Sequence, residues 1–347
     1  MPRMKQVFAA LLAFALLSGC APAQAVPTAE RTFFSMDTVM TLRLYGGGDE
    51  TLLDAAEGRV KEIEALLSVT DPDSQIYALN HTGTAELSVE KGALLKAALE
   101  LCSLTDGALD ISIYPVLRAW GFTTGEYSVP DEETIAALLS LVDYTKVKLD
   151  IDLPKGMRVS LPDGMEIDLG SVAKGYTGDV LAALLLESGV SSAMLDLGGN
   201  IQTVGARPDG SPWRIGIRDP EGDGNLGVVP VTGKAVVTSG GYERYFEEDG
   251  VRYWHILDPK TGAPARSGLL SVTVIGDSGV LCDALSTALF VMGREKAVSF
   301  WLNHYYELNF GLVLVEEDGS VTYTANSGFV PAQGRRATQV DYPNPDV

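Results

Sequence analysis

Three short segments bring together side chains that could do chemistry. The first runs from Gly164 to Gly175 and contains Asp168, Ser171 and Lys174. An acid, small residues and a lysine stand here at the mouth of an expected helix. Exposed N–H groups and the positive end of the helix dipole favour phosphate at such a place, and Lys174 adds a full charge. The spacing is not that of a P-loop. The plainer alternative is a tight strand-to-helix turn with a solvated lysine.

The second segment, Asp283-Ala-Leu-Ser286-Thr287, opens an apolar helix. Positions i and i+4 share a helix face, so the Asp283 carboxylate and Thr287 hydroxyl can converge on one hard cation. Two oxygens from one helix suit Mg²⁺, which keeps waters and takes further ligands from substrate phosphates. Alternatively Asp283 caps the helix and Thr287 bonds back into the core. The third segment, Tyr253 to Gly262, places His255, one of three histidines, where strand alternation runs into a Pro/Gly turn. A histidine held there can take a proton near neutral pH, or it can be a satisfied structural residue.

Elements that must position these groups follow from periodicity. Alternation over Phe33–Tyr45 predicts a half-buried strand. Leu53, Ala56, Val60, Ile63 and Leu67 predict an amphipathic helix over Glu50–Leu67, with further helices over Glu90–Leu104 and Asp131–Leu141. Short strands are expected at Lys146–Asp150, Met157–Ser160 and Met165–Asp168, then a helix over Ser171–Glu187. Strands at Ala193–Asp196, Ile201–Val204 and Trp213–Ile217 lead to a hairpin Tyr242–Phe246/Val251–Ile256, a strand Ser271–Ile275 and a helix Asp283–Met292. Strands and helices mix without a βαβ repeat, which predicts an α+β fold in a single compact domain of two subdomains.

Charge narrows the function classes. The 347 residues hold 26 Lys+Arg against 46 Asp+Glu, a net charge of −20, so no basic field for nucleic acid is expected. The start is different in kind: Arg3 and Lys5, an apolar run from Val7 to Leu17, then Leu17-Ser-Gly-Cys20. That is an export signal, too short for a bilayer span of about 20 residues. It resembles a bacterial lipobox, which implies cleavage after residue 19 and lipidation of Cys20. The expected layout is a signal peptide over 1–19, a tether over 20–31, one domain over 32–330 and a tail over 331–347. Cys102 and Cys282 lack metal-ligand spacing, and whether they pair stays open.

Eight motifs in order carry a family resemblance: Phe34-Ser-Met36-Asp-Thr38, Gly107-Ala108-Leu109-Asp110, Trp120-Gly-Phe122, Asp168 to Gly175, Leu197-Gly-Gly-Asn200, Thr238-Ser-Gly240, His255 to Pro259 and Asp283 to Thr287. Over Phe33 to Tyr323 the chain resembles the ApbE family, the FAD:protein FMN transferases, and so implies an ApbE-like, T-fold-like architecture. The implied chemistry is a Mg²⁺-dependent cut of the FAD pyrophosphate that passes FMN to a Thr or Ser hydroxyl of an acceptor protein through a phosphoester bond and releases AMP. Redox electron-transfer proteins are the implied acceptors, and a lipoprotein on the periplasmic or cell-surface face of a bacterial membrane is the implied setting. Carried over by position, Asp283, Thr287 and the Ser171 carbonyl would hold the metal, with Ser286 adjacent, and His255 would be the base. Flavin and adenine contacts would fall on Met36, Ala108, Leu109, Asp110, Asp168, Lys174 and Leu257. Two positions depart from the pattern. Thr70, in Leu67-Ser-Val-Thr70, stands where the family has an aromatic, leaving Tyr77 as a candidate replacement, and Ser171 stands where alanine is usual. An FAD pyrophosphatase giving FMN and AMP is the rival enzyme. A non-catalytic flavin-binding lipoprotein is the rival binder, against which the pairing of a base with a metal site argues.

Overall fold

Apolar residues at three- and four-residue steps fold Glu50–Leu67 (α1) into a helix that buries Leu53, Ala56, Val60 and Ile63, started by the Asp49 carboxylate accepting from the Leu52 N–H. In the computed structural model, which describes residues 26–152 and 156–342, this face packs on two strands, β1 (Ala29–Ser35) and β2 (Thr38–Leu44). The single strand expected over Phe33–Tyr45 is therefore a hairpin. Its turn residues Met36 and Asp37 have φ of 50° and 58°, which suits the primed turns of two-residue hairpins but costs non-glycine residues about 1 kcal/mol or more each. Glu64 of α1 holds them there, accepting from the Ser35 hydroxyl at 2.5 Å and the Met36 N–H at 2.6 Å.

The chain continues through α2 (Gln75–Thr82), β3 (Thr84–Leu87), α3 (Val89–Leu104), α4 (Tyr114–Ala119), α5 (Glu132–Leu139), β4 (Lys148–Asp152), β5 (Gly156–Ser160) and α6 (Gly170–Glu187). Then come β6 (Ala193–Leu197), β7 (Asn200–Val204), β8 (Trp213–Arg218), β9 (Asn225–Val231), β10 (Ala235–Gly240), β11 (Tyr245–Glu248), β12 (Val251–Trp254) and β13 (Leu269–Gly276). Two helices, α7 (Gly279–Met292) and α8 (Arg294–Leu308), precede β14 (Gly311–Glu316), β15 (Val321–Thr324), β16 (Val330–Pro331) and β17 (Ala337–Val340).

Nine strands form the main sheet in the order β1-β2-β6-β7-β10-β13-β14-β15-β17, antiparallel except where β17 joins β15. Helices α1 and α6 cover one end of a face and α7 and α8 the other. The opposite face is covered by the small sheet β16-β9-β8, through Trp213, Ile217 and Val229. Sheet β3-β5-β4 closes a third core with α2 and α3, and the β11–β12 hairpin packs with α4 and Trp120–Phe122. The fold is α+β, as expected.

Some element bounds differ from those expected, and two questions left by the sequence find different outcomes. Residues 165–168 pair with no strand; the Asn80 side chain takes the place of one, bonding Ile167 N–H and carbonyl at 2.8 and 2.9 Å. Strand β1 begins inside the span read as a tether, and β17 lies inside the span read as a tail. Cys102 and Cys282 are free and buried in different cores. The signal segment and Cys20 lie outside the described residues. Among the described residues no helix is long and apolar enough to cross a membrane.

Candidate active site

Helices α6 and α7 cross where each has a glycine. A Cβ on Gly175 would stand 2.1 Å from the Gly279 carbonyl oxygen, and one on Gly279 would stand 2.3 Å from that of Gly175. Close approach is locked by Asp179 of α6, whose carboxylate accepts from Gly279 N–H at 2.6 Å, Val280 N–H at 3.1 Å and the Ser278 hydroxyl at 3.2 Å. It thus supplies acceptors to the first N–H groups of α7, while the Ser278 hydroxyl caps that of Leu281. The crossing brings the Asp283 carboxylate to the Gly175 N–H at 2.8 Å. Gly175→Ala forces backbone against backbone and is expected to cost about 1–3 kcal/mol or more, read as a lowered urea midpoint. An unchanged midpoint would show that the crossing is slack.

Asp283 is 4% exposed and is not a helix cap, because α7 starts four residues earlier at Gly279 behind Ser278. Its second oxygen accepts from Asn200 Nδ2 at 2.9 Å. Asn200 reaches it from the β6–β7 turn, where Gly198 and Gly199 (φ 72° and 92°) make the reversal that L side chains resist. Thr287, one turn on, is half-buried and lies 3.3 Å from the Ser239 hydroxyl. The residue that bonds back into the helix is Ser286, to the Asp283 carbonyl at 2.9 Å. Ser286 also meets Ser239 at 2.7 Å and does not line the cleft.

These groups sit on a cleft of about 820 Å³, within the usual range for a small-molecule site. Asp283, Thr287, Ser171 and Lys174 share its wall. Burial pushes the Asp283 carboxyl above its ordinary range, opposed by Lys174 and by the bonds from Gly175 and Asn200. A desolvated carboxylate beside a hydroxyl is a hard-oxygen donor pair that fits a divalent cation. The Gly175 N–H, which a regular helix aims at the Ser171 carbonyl, also serves Asp283, so that carbonyl keeps acceptor capacity. Among the described residues no cluster of three or more His, Cys, Asp or Glu could hold a metal by itself.

His255 follows β12 and faces the same cleft. Its Nδ1 lies 3.1 Å from the Arg244 carbonyl. A carbonyl only accepts, so Nδ1 carries the proton and Nε2 is left as acceptor in the neutral ring. Desolvation lowers its pKa to about 4, helped by the charges of Lys174 and Arg244 and opposed by the bond to the Arg244 carbonyl. Glu243 lines the cleft mouth, where partial desolvation by the surrounding groups, and then Asp283, pushes its carboxyl up to about 7 against Lys174 and Arg218.

The other expected contacts divide. Ala108, Leu109, Asp110, Asp168 and Leu257 line the cleft. The Asp110 carboxylate also accepts from the Ser112 N–H and hydroxyl and from the Tyr144 N–H. Asp168 accepts from Gly170 N–H at 2.8 Å, closing the turn into α6. Met36 does not line the cleft, although Asp37 and Thr38 beside it do; the Thr177 hydroxyl reaches its sulfur at 3.7 Å. Tyr77 is stacked on His81 at 3.9 Å and is also away from the cleft. Residues not singled out in the sequence are Asn200, Glu243, Arg244 and the β8 pair Arg214 and Arg218. Asn200 lay within a motif of the resemblance, and nothing local in the sequence marked the others.

Known proteins share this sequence pattern and this fold. The ApbE family model matches residues 36–310. The FAD:protein FMN transferase of Vibrio cholerae is 32% identical over 337 residues, 94% of this chain and 99% of that protein. One from Klebsiella pneumoniae is 37% identical over 266 residues, 75% of this chain and 81% of its own. The crystal structure of the ApbE protein from Thermotoga maritima matches with a TM-score of 0.78 at 35% identity, covering 84% of this chain and 96% of that one. That of the Pseudomonas stutzeri flavinyl transferase ApbE gives 0.73 at 30% identity, covering 88% and 93%. With the same architecture and similarity along most of its length, the chain belongs to the ApbE family.

Proposed function

We propose that this chain, a transferase like its relatives, moves FMN from FAD to a Thr or Ser hydroxyl of an acceptor protein and releases AMP. The observation that carries the proposal is one cleft holding a histidine whose Nδ1 is bonded to a carbonyl, a lysine and a buried carboxylate–hydroxyl pair. In the step proposed, the acceptor oxygen bonds to the flavin-side phosphorus, its proton passes to Nε2 of His255, and the bond to the adenosine-side phosphate breaks. Lys174, which makes no ion pair among the described residues, faces the oxygens that gain charge. Asp283, Thr287 and the Ser171 carbonyl are the oxygens that would hold Mg²⁺, which when bound neutralises pyrophosphate charge. Ser286, tied to Ser239, would support Thr287 rather than ligate. Ala108, Leu109, Leu257 and Asp168 would then border the dinucleotide.

Mass spectrometry of a flavin-acceptor electron-transfer protein, incubated with this chain, FAD and Mg²⁺, tests the proposal. One FMN per acceptor with matching AMP supports it. Free FMN and AMP at an acceptor-independent rate would show an FAD pyrophosphatase instead.

We further propose export and lipid anchoring through Cys20, on the strength of the Leu-Ser-Gly-Cys end to the apolar run. Cys20→Ala is expected to move the protein out of the membrane fraction. A variant that stays with membranes through a high-salt wash would exclude this anchor.

A further inference from the structure

Resting on the role proposed for His255, the geometry points to Arg244 as the positioning residue that aims the base, through a closed brace of Arg244, His255 and Phe122. Each side of the brace is a contact. The Arg244 carbonyl accepts from both the His255 backbone N–H and its Nδ1–H, each at 3.1 Å. The imidazole meets the Phe122 ring edge-on, with centroids 6.3 Å apart at 66°. The Arg244 guanidinium donates to the Phe122 carbonyl, which closes the circuit.

The far corner of this brace cannot easily shift. Phe122 is fully buried, packed against Phe246 and Tyr127 with centroids 5.7 Å away in each case. Gly121 before it has φ of 80°, and a Cβ there would fall 2.1 Å from the Glu126 carbonyl oxygen. The loop over 120–127 is therefore a fixed anchor, and Arg244 ties the β11–β12 hairpin to it at the point where His255 leaves the hairpin. Arg244 also approaches Asp37 at 3.8 Å across the cleft, but with the Asp37 side chain 81% exposed this pair adds little.

The brace also sets the charge around the imidazole. Lys174 of α6 and Arg244 are the cations acting on His255, while the loop wall presents the uncharged Phe122. Glu243 and Asp168 line the same cleft. Arg244 thus does two things for the base: its carbonyl fixes the tautomer, and its guanidinium fixes the ring's position while opposing protonation.

The experiment uses the full chain with Arg244→Gln, which removes the charge, and Arg244→Lys, which keeps charge but loses the planar fork. Only His81, His255 and His304 give imidazole signals, so an NMR titration reads His255 directly without FAD or acceptor. In Arg244→Gln its midpoint should rise from about 4 by only part of the way to the ordinary 6.5, because desolvation and Lys174 still hold it down. In Arg244→Lys it should stay low. Both should lose kcat, by up to about 10²-fold for a misplaced base, with the KM for FAD within about twofold. An unmoved His255 midpoint in Arg244→Gln overturns the brace, as does a raised KM for FAD at unchanged kcat, which would make Arg244 a substrate contact. If Arg244→Gln does not fold, wild-type kcat in Arg244→Lys overturns it alone. Should wild type label no acceptor, the transfer reading fails while the titration still decides the brace.

Discussion

Asp283→Asn is expected to lose FMN transfer by roughly 10³-fold or more, the scale of several kcal/mol of charge stabilisation at a reacting phosphate. The carboxylate is buried on α7 with one oxygen on the Gly175 N–H and the other on Asn200 Nδ2. An amide of the same shape keeps an acceptor for one donor and turns an N–H toward the other. It brings no charge to offset a cation. Asp283→Ala goes further and strands both donors, at about 1–3 kcal/mol each, so its loss of activity comes with a lower unfolding midpoint. The asparagine variant therefore separates chemistry from folding. Wild-type activity should also vanish in excess chelator, whereas the residual rate of Asp283→Asn should be indifferent to it. Wild-type turnover by Asp283→Asn in chelator would take both the carboxylate and the metal out of the mechanism.

Much of this site was legible because its chemistry needs a few residue types at fixed steps. Asp283 and Thr287 had to share a face once they lay four apart on a helix, and Ser171 and Lys174 had to lie at a helix mouth once the Gly-rich entry was recognised. Long periodic segments were equally plain: Glu50–Leu67 was bounded as observed. What hid was long-range or weakly patterned. Helix α8 has a short stripe, Ala297, Phe300 and Trp301, and follows α7 after the single residue Gly293, so no turn set it apart from the helix before it. Strands β14, β15 and β17 owe their existence to neighbours in the main sheet. The Met36–Asp37 turn was unreadable for another reason: local preference argues against two left-handed non-glycine residues in succession, and it took Glu64, 28 residues along from Met36, to impose them. The crossing of α6 and α7 likewise needs two glycines that are distant in sequence. Arg244 was missed because its use depends on a carbonyl of a loop more than a hundred residues before it.

His255→Gln is expected to slow transfer by roughly 10²–10⁴-fold, the usual worth of general-base help to a weak nucleophile such as a Thr or Ser hydroxyl. The pH dependence is the sharper check. A base works when unprotonated, so kcat/KM rises with pH through the base's own pKa. With His255 lowered to about 4, that limb should lie near pH 4, and the rate at pH 5.5 should match the rate at 6.5 as far as the base is concerned. A limb at 6.5 would mean an ordinary, solvated imidazole. Stability carries the same signature with a definite sign. Between about 6.5 and 4 the unfolded chain binds a proton at His255 that the native state refuses, so native stability falls as pH falls through this window. Glu243 pulls the other way: its carboxyl, raised to about 7, keeps a proton in the native state that the unfolded chain gives up above 4.5, a stabilisation as pH falls from 7 that solvent at this exposed residue keeps small. The two overlap, and only the difference between proteins isolates the histidine. Urea unfolding of wild type and His255→Gln from pH 7 to 4.5 should show wild type losing more stability on acidification than the variant. If the two lose the same amount, His255 is not held neutral by its surroundings, and its standing as a ready base in the resting cleft goes with that.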